Sequence, residues 1–300
     1  MKKKMFFVSG LPRSGSTLFM NILNQNPRFY GSASSGLIEI IRAIRDHWQE
    51  NVFCKAMPEP ERTDRKLDTI RGALFGSYDS IEKPVIFEKN RGWPTMLELL
   101  STVLAKENIK VIACVRDLRD ILASFEKLYR KTMLTSSTQQ ERTAYLEQRT
   151  ALSRIKYLLR PSESVGFSID VLQDAKTRGW SDHIFFLDYD DLTLKTNKVI
   201  KDLYDFLEEP FFVHNFDHIE QVTREDDTIH GFVGLHDIRP KLASQDSQWP
   251  VVFDLSVIHT PLWKEIESQS KFWKFDLSYR IDEGNYGKFL IKETAQVRRF

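Results

Sequence analysis

Two stretches of this chain carry arginine and hydroxyl side chains at spacings suited to gripping anions, and a third carries a lysine where a strand should end. The first, Gly10-Leu-Pro-Arg-Ser-Gly-Ser-Thr17, has the G-x-x-x-x-G spacing of a phosphate-binding loop. Consecutive N–H groups in such a loop point into one concavity, and the helix that follows adds about half a positive charge at its N-terminus. The lysine that a nucleoside triphosphatase needs after the second glycine is absent: that position is Ser16, and the cation is Arg13, inside the loop. A guanidinium there stands over a single phosphate and whatever is bonded to it, not along a triphosphate chain. The second stretch, Arg116-Asp-Leu-Arg-Asp-Ile-Leu-Ala-Ser124, puts Arg116 at the end of a β-branched run and Ser124 in the second turn of the next helix, both within reach of one anion. The third is Phe87-Glu-Lys-Asn-Arg91, where strand alternation sends Glu88 and Lys89 to opposite faces, so that they need not neutralise each other.

These residues meet only if the elements carrying them line up. The apolar run 5–8 predicts a first strand, and helical spacing follows at Leu18, Phe19, Ile22 and Leu23. Runs 84–88, 109–115 and 184–187 predict three more buried strands. Helical periodicity between them appears at Leu37, Ile41, Ile44 and Trp48, at Leu67, Ile70 and Leu74, and over 93–106. It returns along Leu118, Ile121, Leu122, Phe125 and Leu128, over 139–159 and 164–177, and at Val199, Leu203 and Phe206. Strands alternating with helices imply an α/β fold, a three-layer parallel sheet flanked by helices in the manner of P-loop NTPases. All three stretches then fall at the carboxyl ends of strands, where such sheets place their ligands. After Pro210 the periodicity weakens to scattered tryptophans and β-like runs at 275–281 and 286–291. The expectation is a single domain, 1–300, with a nucleotide-binding core over 1–210 and a C-terminal extension over 211–300 closing over the site.

In this order and context the chain resembles the PAPS-dependent sulfotransferases. The first loop is similar to their 5′-phosphosulfate-binding loop, closest to the P-R-S-G-T-T form of the tyrosylprotein and Golgi-type enzymes, with Ser16 in place of the first threonine. The second stretch resembles their R-D-x-R-x-x-x-x-S motif for the 3′-phosphate. The resemblance implies PAPS as donor and PAP as product, with Pro12, Arg13, Ser14, Gly15, Ser16 and Thr17 around the phosphosulfate. It further implies Arg116 and Ser124 on the 3′-phosphate and Lys89 on the sulfate and the bridging oxygen. Asp188-Tyr-Asp resembles a segment whose tyrosine lines the nucleotide site, implying Tyr189, and Ile238-Arg-Pro240 resembles a late basic loop, implying Arg239. The likeness spans about residues 5–210, with Arg239 the one match beyond.

In-line transfer needs positioning and cations on the leaving oxygen, which suits Arg13 and Lys89, and a general base near the acceptor hydroxyl. The glutamate of the tyrosylprotein-type enzymes falls on Ser34 here, and the histidine of the cytosolic enzymes falls on Arg91. Glu39 is the first candidate for the base, with His47, His230 and His236 behind it. The acceptor is left open as a hydroxyl or amine of a small molecule, glycan or peptide, and a homodimer is equally open. Two readings compete with this one. A P-loop kinase or NTPase gains support from the loop spacing and from Ile184-Phe-Phe-Leu-Asp188, which imitates a Walker B strand. A non-catalytic nucleotide- or glycan-binding relative would have kept the cradle and lost the base.

The charges nearly cancel over the 300 residues, leaving a formal net charge of +1, so no global basic field argues for nucleic acid. The start, with three lysines, has an apolar run that stops after Val8, too short for a signal peptide. No run approaches the roughly 18 apolar residues that span a bilayer. Cys54 and Cys114 lie far apart in apolar surroundings, predicting two reduced, buried thiols in a cytoplasmic protein. No metal is expected, because no cluster of histidine, cysteine and carboxylate has ligand spacing.

Overall fold

The computed structural model describes residues 3–135 and 149–274. Five strands, β1 (Lys4–Gly10), β2 (Phe29–Ser34), β3 (Val85–Lys89), β4 (Val111–Val115) and β5 (Ile184–Asp188), form one sheet in the order β2-β3-β1-β4-β5. Every neighbouring pair is parallel. Strand β2 was not expected: apart from Phe29 and Tyr30 its residues are Gly, Ser and Ala, poor β-formers that read as a loop. It needs only one partner at the sheet edge, and its pairing with β3 shifts register between Gly31 and Ser34.

Alternation along β1 divides the core. Phe6 and Val8 pack beneath α1 (Ser16–Leu23) and the helix Thr196–Leu207. Met5 and Phe7 face the other layer, which contains α2 (Leu37–Glu50), α4 (Glu61–Gly76), α5 (Leu97–Leu104) and α6 (Leu118–Thr135), with the helix Ser164–Thr177 beside them and the one-turn α3 (Val52–Lys55) outside the buried cluster. In that layer Phe7 meets the fully buried Trp93 ring at 4.7 Å. Burial on this scale, at about 25 cal/mol per Å² of apolar surface, is what holds two helical layers on a parallel sheet. Helix α1 leaves β1 toward one face and α6 leaves β4 toward the other. The boundary between β1 and β4 is therefore the switch point where such sheets open a ligand crevice.

Residues beyond 210 use both layers. Trp249, Phe253 and Trp263 pack together, with ring centroids 5.2 to 5.5 Å apart, and join the core on the α6 side. The loop between Ile219 and Leu242 is anchored at both ends in the α1 layer. Asn21 of α1 holds it: Oδ1 accepts from the N–H groups of Val222 and Thr223 at 2.7 and 3.0 Å, and Nδ2 donates to Thr223 Oγ1 at 2.8 Å. The β-like runs expected at 275–281 and 286–291 lie outside the described residues, as does part of the helix expected over 139–159, of which Ala151–Leu158 is helical. Neither cysteine is in a disulfide, but Cys54 is half-buried because α3 is a single turn at the periphery, which corrects the expectation of two buried thiols. No helix among the described residues is long and apolar enough to cross a membrane.

Candidate functional site

The loop between β1 and α1 curls through three left-handed residues, Gly10 at φ 121°, Arg13 at φ 59° and Gly15 at φ 85°. For arginine that conformation is uncommon and persists only where the surroundings enforce it. Arg13 is held at its far end, where Nε donates to Ser124 Oγ at 3.1 Å and Nη1 donates to the Leu235 carbonyl. A Cβ on Gly15 would lie 2.7 Å from the Tyr189 ring, so glycine lets the loop and that ring close on each other. Helix α1 has no side-chain cap, leaving its first N–H groups open at the loop. Ser14 departs from its neighbours: its hydroxyl donates to the Leu11 carbonyl at 2.6 Å, turned inward and buried.

A cleft of about 930 Å³ opens at the carboxyl ends of the strands. Pro12, Arg13, Gly15, Ser16 and Thr17 line it, as do Lys89, Arg116, Ser124, Tyr189 and Arg239, so the three stretches singled out in the sequence converge; Ser14 does not line it. Arg116 lies over the Tyr189 ring at 4.7 Å, and its buried Nε has no hydrogen-bond partner among the described residues. Burial, and after it the charge of Arg116, lowers the pKa of Arg13, because two guanidinium groups share one space. Arg91, Arg116 and Arg239 all face the cleft, and none of their side chains has a hydrogen bond or ion pair among the described residues. Cations left unpaired in a concavity are a standing invitation to an anion. Asp117 and Arg119 pair with each other and not with the cleft: Arg119 Nη2 meets Asp117 Oδ2 at 2.8 Å, and Nη1 meets Glu267 Oε1 at 2.9 Å.

Lys89 is 6% exposed and points its ammonium at Glu225, with Nζ 3.2 Å from Oε1. The same oxygen accepts from the Ser34 N–H at 2.8 Å, while Oε2 lies 3.4 Å from His236 Nε2. His236 Nδ1 in turn lies 2.5 Å from Asp227 Oδ1. Burial lowers the pKa of Lys89, only partly offset by Glu225. For Glu225 burial acts upward, but Lys89, Ser34 and His236 together outweigh it and hold the carboxyl below its ordinary value. Glu225 was missed in the sequence, where the run Arg224-Glu-Asp-Asp227 has no periodicity and reads as a solvated loop. Of the other candidates for a base, Glu39 lines the cleft from the first turn of α2 and is exposed, and His230 and His236 line it 5.7 Å apart. His47, in the last turn of α2, does not reach it. No group of histidine, cysteine and carboxylate among the described residues could hold a metal ion.

A model of the family described as "Sulfotransferase family" matches residues 6–212. No curated protein matches the sequence significantly. Among solved structures, the sulfotransferase domain from the curacin biosynthetic pathway aligns with TM-score 0.55 and 17% identity over 90% of this chain and 97% of that one. The sulfotransferase domain from the Synechococcus PCC 7002 olefin synthase gives 0.49 and 15% over 92% and 97%. Retinol dehydratase in complex with androsterone and inactive cofactor PAP gives 0.47 and 16% over 93% and 84%. The first of these shares the fold of this chain.

Proposed function

Since the chain belongs to the sulfotransferase family, we propose that its cleft takes PAPS as sulfuryl donor, passes the group to a hydroxyl or amine of a small acceptor, and releases PAP. The observation that carries this reading is the convergence of Arg13 and Arg116 on one cleft, with the side chains of Arg116 and Arg239 free of hydrogen bonds and ion pairs among the described residues. Two anion sites at neighbouring strand ends suit the two ends of one adenosine bisphosphate. Arg13 and the open amides of the loop and α1 hold the phosphosulfate, with Ser14 contributing only its N–H. Arg116, Ser124 and Arg239 hold the 3′-phosphate, and the Tyr189 ring packs beside the nucleoside. Ser124, which now accepts from Arg13, turns its hydroxyl to the phosphate when the donor is present.

The chemistry asks little covalent work of the protein. The acceptor oxygen attacks sulfur in line with the departing phosphate oxygen, and the charge that gathers on that oxygen is met by Arg13 and Lys89. The size of the cleft falls within the range of small-molecule sites, which supports a small acceptor sharing it with the donor. The free thiols of Cys54 and Cys114 support a cytoplasmic setting. Calorimetry with PAP tests the donor site. Wild type is expected to bind clearly and Arg116→Ala at least tenfold more weakly, about 1.4 kcal/mol. Equal affinities would remove Arg116 from the 3′-phosphate site, and no binding to wild type would remove PAPS as the donor.

A further inference from the structure

The sequence motifs offer no group to remove the acceptor's proton, since Arg91 stands where the cytosolic enzymes carry histidine and Ser34 where the tyrosylprotein-type enzymes carry glutamate. The fold fills that place from 191 residues downstream, with Glu225 Oε1 2.8 Å from the Ser34 backbone nitrogen and 3.2 Å from Lys89 Nζ. We propose that Glu225 is the general base, and that it is switched on when the bound donor draws Lys89 away from it. The proposal rests on the PAPS reading above.

Without donor, the ammonium of Lys89 and the carboxylate of Glu225 satisfy each other, their side chains 8% and 10% exposed. Neither leaves the other cheaply, because an unpaired charge in such a place is costly. A phosphosulfate seated in the loop supplies the missing partner, the oxygen that bridges sulfur to the 5′-phosphate. Lys89 turns to it, and Glu225 loses the strongest of the influences that lower its proton affinity. It keeps the hydrogen bond from the Ser34 N–H on one oxygen, and His236 Nε2 stands 3.4 Å from the other. The acceptor hydroxyl then gives its proton to Glu225 while its oxygen bonds to sulfur. The sulfur–oxygen bond to the phosphate breaks, its electron pair goes to the phosphate oxygen beside Lys89, and Glu225 later returns its proton to solvent. Asp227 and His236 are positioning residues: Asp227 Oδ1 holds the imidazole at Nδ1, which places the ring against Oε2. Glu39 shares the cleft, but no hydrogen bond among the described residues orients its carboxylate.

Two measurements test this, PAP calorimetry and transfer from PAPS to phenol and to 4-nitrophenol, whose proton leaves with little help. Glu225→Gln is expected to slow transfer to phenol about 100-fold or more and transfer to 4-nitrophenol far less. It is also expected to bind PAP severalfold more tightly, because the 5′-phosphate no longer competes with a carboxylate for Lys89. A merely structural tie would weaken binding and slow both acceptors alike, and that result overturns the proposal. So does an unchanged rate with phenol, or a phenol-selective loss in Glu39→Gln instead. If neither phenol is turned over, PAP affinity decides alone: unchanged or weaker binding by Glu225→Gln overturns the switch. If Glu225→Gln does not fold, His236→Asn carries the test, with a smaller loss of the same selectivity expected and an equal loss with both acceptors overturning it. Failure of wild type to bind PAP would instead strike the donor assignment on which the switch depends.

Discussion

Alanine at position 10 is expected to cost the chain its folded state, lowering the unfolding free energy by at least about 4 kcal/mol. The added methyl carbon would stand 2.0 Å from the Cys114 carbonyl oxygen, 2.4 Å from its nitrogen and 2.7 Å from its carbonyl carbon, all backbone atoms. No rotamer change relieves such a clash. Gly10 also sits at φ 121°, which an L side chain rarely adopts. The register pairs Gly10 with Cys114, and the Leu11 N–H donates to the Cys114 carbonyl at 2.8 Å, so relief means prising β1 from β4 at the centre of the sheet. The same parting would move the loop between β1 and α1 away from Arg116. Urea unfolding of Gly10→Ala beside wild type measures the effect, and a wild-type midpoint would show that the two strands do not approach as described. Gly15 makes a useful contrast, because its hypothetical methyl meets the Tyr189 side chain and not backbone.

What the sequence disclosed and what it withheld divide along a physical line. Strands β1, β3 and β4 are buried on both faces and β5 is at least half-buried throughout, and that burial writes itself as continuous apolar runs. Strand β2 lies at the edge and is built from Gly31, Ser32, Ala33 and Ser34, a composition that serves a loop equally well. Arg13, Lys89 and Arg116 were legible because each ends or follows a buried strand, and an α/β sheet turns those positions toward its ligand. Glu225 was not legible. Its place is fixed by Asn21 gripping Val222 and Thr223 and by the Ser34 amide, contacts between segments some 200 residues apart. Local composition carries no trace of such stitching. Ser14 shows the opposite failure, where a residue inside a legible motif spends its hydroxyl on the Leu11 carbonyl that shapes the loop.

Glycine at position 13 is expected to separate stability from activity. The left-handed backbone at φ 59° burdens arginine and not glycine, so the relief of strain offsets the greater freedom of the unfolded chain, and stability changes by no more than about 1 kcal/mol. The chemistry loses its cation. Arg13 is mostly enclosed, shares its space with Arg116, and stands in the loop proposed to receive the phosphosulfate, where a fixed donor would meet the charge developing on the leaving oxygen. Removing one such donor from a preorganised site costs about 10² to 10³ in turnover. Arg13 also ties the loop to Ser124 and to the Leu235 carbonyl, so a purely mechanical part is the rival account. The two accounts differ in their readouts. A strut lost from between loop and segment lowers the melting temperature and the affinity for PAP together, with turnover falling in proportion to occupancy. A catalytic cation lost leaves the melting temperature near that of wild type and lowers turnover at saturating PAPS. Thermal unfolding of Arg13→Gly, paired with single-turnover transfer from PAPS, distinguishes them, and a saturated rate within tenfold of wild type would reduce Arg13 to the strut.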